Sequence, residues 1–257
     1  MRESRAGGGD DARAAKSARA GGGKGRLASE RVASLSIAND PSERDAPTMP
    51  PARLTLASDG ETLVANLYGT LPAERAVILV HGSSWDASGW RDVAPRFVER
   101  GVPALAINLR GFGGSSGKTN RYQPGKPWSP VTDLRAAKAW LRDRGAREIA
   151  LVGSSMGGSA VLASSFEKDV ECVVAISAPV AIVPTELAKM ITGRKLFICA
   201  DRDSLRAAPN VRQCFDDANT PKTLLLFGGR EHSKAIFTAP YAEEALDALV
   251  GFACRRG

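Results

Sequence analysis

EIALVGSSMGGSAVLASSF, residues 148 to 166, joins a short apolar run to an apolar helical pattern through a turn of small residues. Within it Gly153-Ser154-Ser155-Met156-Gly157 spells G-x-S-x-G, the pattern of a serine held on a strained strand-to-helix turn with its hydroxyl exposed. The spacing has a steric reason. A residue at unfavourable φ/ψ needs neighbours without Cβ atoms two places before and two after, so that strand and helix can pass closely. Gly153 and Gly157 occupy those places, which selects Ser155 over Ser154 as a candidate nucleophile.

The chain spells the same pattern a second time, Gly113-Gly114-Ser115-Ser116-Gly117, again after an apolar run. The residues behind it are of another kind. TNRYQPGKPWSP carries prolines at 124, 127 and 130, and proline blocks a helix interior by removing a donor and clashing with the preceding turn. Only the match at Ser155 has a helical pattern behind it. The second stretch also falls one position short of a phosphate-binding loop, GGSSGKT at 113 to 119, because the required first glycine falls on Phe112. Such a loop needs a helix N-terminus behind it, so nucleotide binding is not expected.

Outward from the elbow, short and almost continuous apolar runs recur: AVILV at 76 to 80, PALAINL at 103 to 109, CVVAIS at 172 to 177, KLFICA at 195 to 200 and TLLLF at 223 to 227. Runs of this kind suit strands of a parallel sheet buried on both faces. Helical patterns lie between them, at 88 to 100, 131 to 144, 156 to 166, about 184 to 192, 205 to 219 and 240 to 254. Ahead of these, RLTLAS and ETLVANLYG flank Asp59-Gly60, a two-residue hairpin signal. The expected fold is therefore α/β, a doubly wound and mostly parallel sheet with an N-terminal antiparallel hairpin, over residues 51 to 257. Residues 1 to 50 are Gly, Ala, Arg and Ser with few large apolar side chains, too little to offset the entropy of ordering, and are expected to be disordered. A transit peptide fits less well because of the segment's acidic residues, and a start of translation at Met49 is a third reading.

The whole chain has 257 residues, 43% of them hydrophobic, enough for one α/β domain with a substantial core. Its net charge of +7 is spread out: residues 1 to 48 hold nine Lys and Arg against seven Asp and Glu, leaving +5 over the rest. Without a concentrated basic stripe, no nucleic-acid partner is expected. No apolar run approaches the length of a bilayer span, so a soluble, cytoplasmic protein without a membrane partner is expected. The four cysteines are scattered without a C-x-x-C pair, and two histidines are too few to help build a metal centre; reduced core thiols and no metal are expected.

In an open parallel sheet, ligands bind beyond the carboxyl ends of the strands. His81-Gly82-Ser83, the Ser155 elbow, Asp201-Arg202-Asp203 and Gly228-Gly229-Arg230-Glu231-His232 each come directly after an apolar run. With Arg110-Gly111-Phe112-Gly113, and with serine, acid and histidine in that order, the chain over about residues 53 to 254 resembles the α/β-hydrolase superfamily. Since there is no cap-sized insertion between Ser177 and Lys195, it is similar to compact members with no cap domain, such as small esterases and dienelactone-hydrolase-like or serine-peptidase-like proteins.

The resemblance implies a cofactor-independent serine hydrolase whose partner is a small acyl substrate, an ester, thioester or lactone. A peptidase or acyltransferase would use the same machinery, and a non-catalytic binding protein on the same fold is the reading from another class. Ser155 would be the nucleophile. His81 is placed by the HG pattern in a structural role, which leaves His232 as the base. For the acid, the family's spacing of three residues after a small residue closing the strand takes Ala200 to Asp203; Asp201 is the alternative. The oxyanion would meet the backbone N–H groups of Met156 and Ser83. Trp85 and Trp128, in loops at the carboxyl ends of strands, and Phe112 at the rim are the candidate pocket residues. Asn108 stands where an Asp often precedes the R-G-x-G loop, a departure expected to change loop anchoring only.

Overall fold

Asp59 and Gly60 both take left-handed backbone, with φ of 46° and 79°, the pairing that a tight hairpin turn matched to strand twist requires. The turn joins β1 (Ala52–Ser58) to β2 (Glu61–Tyr68), and its register sets Ser58 opposite Glu61. The computed structural model describes residues 50–178 and 185–256. The N-terminal extension therefore lies outside the described residues but for its last position. So do residues 179–184, part of the stretch where no cap-sized insertion is expected.

Six further strands complete the sheet: β3 (Arg75–Val80), β4 (Ala104–Ile107), β5 (Glu148–Ser154), β6 (Cys172–Ile176), β7 (Arg194–Ala200) and β8 (Lys222–Phe227). Their order across it is β1-β2-β4-β3-β5-β6-β7-β8. The hairpin joins β4 antiparallel, and every pairing from β4 through β8 is parallel. The expected architecture is the observed one.

Each central strand is apolar on both faces because each face meets a helix layer. Ala76, Ile78 and Val80 of β3 enter one core, with α2 (Ser129–Arg142), α3 (Met156–Ser164) and α4 (Ala207–Asp217). Val77 and Leu79 enter the other, with α1 (Ala94–Val98) and α5 (Ala242–Cys254). Lys138 of α2, 1% exposed, reaches Glu167 and Asp169 beyond α3 at 2.8 Å each, so its buried ammonium is paired.

The helix expected over 88 to 100 is instead split into a 3-10 turn, Ala87–Trp90, and the short α1. Three local causes account for it. Asp86 caps the turn by accepting from the Ser88 N–H at 2.8 Å. The Trp85 ring covers Gly89 so closely that a Cβ there would lie 2.2 Å away. Pro95, which has no N–H, suits a fresh helix start rather than a helix interior. The helix expected near 184 to 192 is a 3-10 turn over Thr185–Met190.

Candidate active site

Ser155 sits between β5 and α3 at φ 53° and ψ −116°, a conformation costly for a residue with a side chain. Its neighbours lack side chains because backbone occupies the space. A Cβ on Gly153 would lie 2.2 Å from the Gly157 carbonyl oxygen, and one on Gly157 would lie 2.4 Å from the Val80 oxygen and 2.5 Å from that of His81. The Ser155 N–H donates to the Ile176 oxygen at 2.8 Å, which fixes the turn to the end of β6.

His232 lies beyond β8 and meets Ser155 across the carboxyl edge of the sheet: its Nε2 is 2.9 Å from Ser155 Oγ. Its Nδ1 lies 2.8 Å from Oδ2 and 3.0 Å from Oδ1 of Asp203. A carboxylate accepts only, so Nδ1 carries the proton in the neutral ring and Nε2 presents its lone pair to the serine hydroxyl. Asp203 is 3% exposed, and its Oδ1 also accepts from the N–H groups of Leu205 at 2.9 Å and Ala207 at 3.2 Å. Burial pushes this carboxyl up, but the His232 hydrogen bond and charge, with those two N–H groups, outweigh it and hold the group below its ordinary value. The Cys199 thiol approaches Oδ2 at 3.8 Å, and its own pKa is pushed to about 12, first by burial and then by the Asp203 charge.

Asp201 faces elsewhere. Its Oδ1 accepts from the Gly229 N–H at 3.0 Å and lies 3.4 Å from Arg202 Nε, so it braces the loops after β7 and β8 at the surface. Of the two candidate acids, Asp203 is the one in contact with His232.

His81 is fully buried and both its ring nitrogens are engaged. Nδ1 donates to the Gly82 oxygen at 2.8 Å, and Nε2 accepts from the Leu109 N–H at 3.1 Å. Burial lowers its pKa, opposed in part by the Gly82 carbonyl and by Asp86. Its ring packs on Phe112, with centroids 4.8 Å apart, which puts half-buried Phe112 against the loop that leads to Ser83. Met156 is the first residue of α3, where an N–H has no intrahelical partner. Gly82 lets the loop carrying Ser83 lie against Ser155: a Cβ on Gly82 would lie 3.3 Å from Ser155 Cβ.

The two candidate pocket tryptophans are both buried. Trp128 precedes α2, donates from Nε1 to the Asn120 oxygen at 3.2 Å and packs edge-on against Tyr122. Trp85 donates from Nε1 to Ser233 Oγ at 3.1 Å. Composition and spacing do not single out Ser154, Ser177 or Ser233 around that contact, because serine is abundant in this chain and its partners are distant in sequence. Asn108 accepts from the Ala87 N–H at 2.7 Å and donates to the Gly113 oxygen at 3.2 Å, a second bond that an aspartate could not make.

Among the described residues no group of three or more His, Cys, Asp or Glu is placed to hold a metal ion, and no helix is long and apolar enough to cross a membrane. A cavity of about 770 Å³ lies elsewhere, lined by Gly193, Arg194 and Lys195 where β7 begins and by Pro221 just before β8. It is at the opposite end of the parallel strands from Ser155.

A model of the alpha/beta hydrolase family matches residues 77–254. No curated protein matches the chain significantly. Among solved structures, an esterase from Pyrococcus furiosus superposes with a TM-score of 0.69 at 21% identity, covering 80% of this chain and 92% of its own. A predicted CIB-like hydrolase from Thermoplasma acidophilum gives 0.66 at 19% identity, over 79% of this chain and 98% of its own. An alpha-beta serine hydrolase homologue from Coxiella burnetii gives 0.64 at 18% identity, over 80% of this chain and 99% of its own. At these identities the likeness is one of fold.

Proposed function

The chain belongs to the alpha/beta hydrolase family, and from that premise we propose that it is a serine hydrolase cleaving a small ester, thioester or lactone through an acyl-enzyme. What carries the reading is the unbroken hydrogen-bonded line from Ser155 Oγ through His232 to Asp203, at 2.9 and 2.8 Å. A serine hydroxyl is a weak nucleophile until a base takes its proton, and a base works only when held in one tautomer.

Ser155 Oγ attacks the acyl carbonyl while its proton passes to His232 Nε2. Asp203 stabilises the imidazolium and keeps the ring in place. The carbonyl oxygen, now an anion, is held by the N–H groups of Met156 and Ser83, and losing such a donor costs about 100- to 1,000-fold in rate. His232 then protonates the leaving group, whose bond to the acyl carbon breaks. Water repeats the sequence on the acyl-enzyme and frees Ser155. Every proton and charge here is handled by the chain itself, so the reaction uses no cofactor. Phe112, half-buried with its ring on His81, is the residue we assign to the wall of the acyl pocket.

The test is turnover of p-nitrophenyl acetate and butyrate, together with labelling by a fluorophosphonate probe. Stoichiometric labelling at Ser155 and hydrolysis of one or both esters are expected. Folded protein that remains unlabelled at Ser155 would overturn the reading.

A further inference from the structure

Behind His232 lies a buried cluster of polar side chains that take no part in the proposed proton transfers. Ser233 is next to the base in the chain, is 5% exposed and takes φ 59°. Its Oγ lies 2.8 Å from Ser154 Oγ and accepts from Trp85 Nε1 at 3.1 Å, while its N–H donates to Ser177 Oγ at 3.0 Å. These three partners come from three different strand ends. Trp85 belongs to the loop after β3 that carries Ser83, Ser154 closes β5 beside the nucleophile, and Ser177 lies just beyond β6. Gly82 leaves room for the convergence, since a Cβ there would lie 2.6 Å from Trp85 Nε1 and 3.0 Å from Ser233 Oγ.

Ser233 and Ser177 both hold left-handed backbone, at 59° and 50°, where glycine costs least. A serine in such a place is accounted for by its hydroxyl, and both hydroxyls are engaged within the cluster. Trp85, Ser154, Ser177 and Ser233 are all buried, and a buried polar group is costly unless paired, so breaking any one of these contacts leaves a partner unsatisfied.

We propose that Ser233 is a positioning residue, whose hydroxyl and amide key the base to the nucleophile strand, to the oxyanion loop and to the end of β6. The proposal rests on the serine-hydrolase reading and extends it. It also gives Trp85 a role other than a pocket wall: the indole N–H ties the loop bearing Ser83 to the residue after His232.

Three variants isolate the hub. Ser233→Gly removes the hydroxyl while suiting the backbone, Trp85→Phe removes the N–H and keeps a ring, and Ser154→Ala removes the hydroxyl's other contact. Each is expected to lower kcat for p-nitrophenyl butyrate, and the rate of fluorophosphonate labelling at Ser155, by about 10- to 100-fold, the scale of small misplacements of catalytic groups. KM should stay within about twofold, because the loss falls on transition-state geometry rather than on binding. In a Ser233→Gly background, Trp85→Phe and Ser154→Ala should cost nothing further, since both act through the missing Oγ. Folded Ser233→Gly or Trp85→Phe with unaltered kcat would overturn the proposal, as would fully additive losses in the double variants. A lowered melting temperature with unaltered kcat would also overturn it, by reducing the cluster to packing. Failure of the parent protein to be labelled at Ser155 marks instead the failure of the hydrolase reading, and the hub falls with it.

Discussion

The chain contains G-x-S-x-G twice, and the two copies divide strain and contact in opposite ways. In the elbow the serine carries the left-handed backbone, φ 53° at Ser155, and the flanking glycines supply space against main-chain atoms. In the second copy the glycines carry it, φ 53°, 90° and 73° at Gly113, Gly114 and Gly117, and the serines are tied down. Ser115 Oγ accepts from the Val64 N–H and donates to the Asn108 oxygen, both at 2.8 Å. Ser116 pairs with Thr62 by backbone and side chain, and its hydroxyl bonds Glu61. One motif presents a hydroxyl to His232; the other uses hydroxyls to fasten a loop to β2. A sequence pattern specifies a turn, and the neighbours of that turn specify its chemistry.

The sharpest way to break this contrast is to remove each central hydroxyl. Ser155→Ala should lower kcat by about 10⁴- to 10⁶-fold, on the pattern of triad deletions. Ser115→Ala should leave kcat unaltered and lower stability by about 1–3 kcal/mol, because the Val64 N–H loses its partner. Ester turnover and urea unfolding measure the two effects, and equal kinetic losses would dissolve the distinction. Next, Asp203→Asn should cost about 10⁴-fold in kcat, since an amide can favour the wrong tautomer of His232, whereas Asp201→Asn should leave kcat near the parent value. The reverse order would transfer the acid's role to Asp201.

The glycines give the third test. Gly157→Ala drives a methyl into the Val80 and His81 carbonyls and should destabilise by about 3 kcal/mol or more, or prevent folding. The atoms nearest a Cβ on Gly117 belong to the Glu61 carboxylate, the far end of a flexible side chain held by the Ser116 hydroxyl, so Gly117→Ala should cost the backbone term of about 1–2 kcal/mol and loosen that one hydrogen bond. Chemical denaturation distinguishes them.

The smallest effect concerns His81, which lies between the two copies, touching Phe112 with its ring and crowding Gly157 with its carbonyl. Its folded pKa is lowered from 6.5, so below that value the unfolded chain binds the proton first. Its contribution is thus present above about pH 6.5 and fades as pH falls toward the lowered folded value, by at most about 1.4 kcal/mol per pH unit. The melting temperature should fall between about pH 7 and pH 5, and His81→Gln should flatten that slope; an unchanged slope would contradict the assignment.

How much of the molecule is legible in its sequence depends on where the signal sits. The parallel strands can be read because strands buried on both faces must be apolar throughout, and the hairpin pair because Asp59-Gly60 marks its turn. The segment from 88 to 100 is legible only in part: Asp86 and Pro95 are local signals for a cap and a fresh start, whereas the Trp85 ring lying over Gly89 is a contact with no periodicity. Ser155 and His232 are legible as a serine flanked by glycines and a histidine after a later strand. The choice between Asp201 and Asp203 is not legible from the residues themselves, because two aspartates one residue apart have the same chemistry, and only family spacing favours Asp203.

By itself, then, the sequence determined the sheet, the elbow and the candidates for nucleophile and base, since these depend on local apolarity and on where side chains are missing. The tertiary structure alone decided three things: the contact of Asp203 with His232, the fastening of Ser115 to β2 and the convergence of Trp85, Ser154 and Ser177 on Ser233. Each of these is a hydrogen bond between strand ends or loops that the fold brings together. Such a bond depends on orientation and burial, which residue identity leaves open.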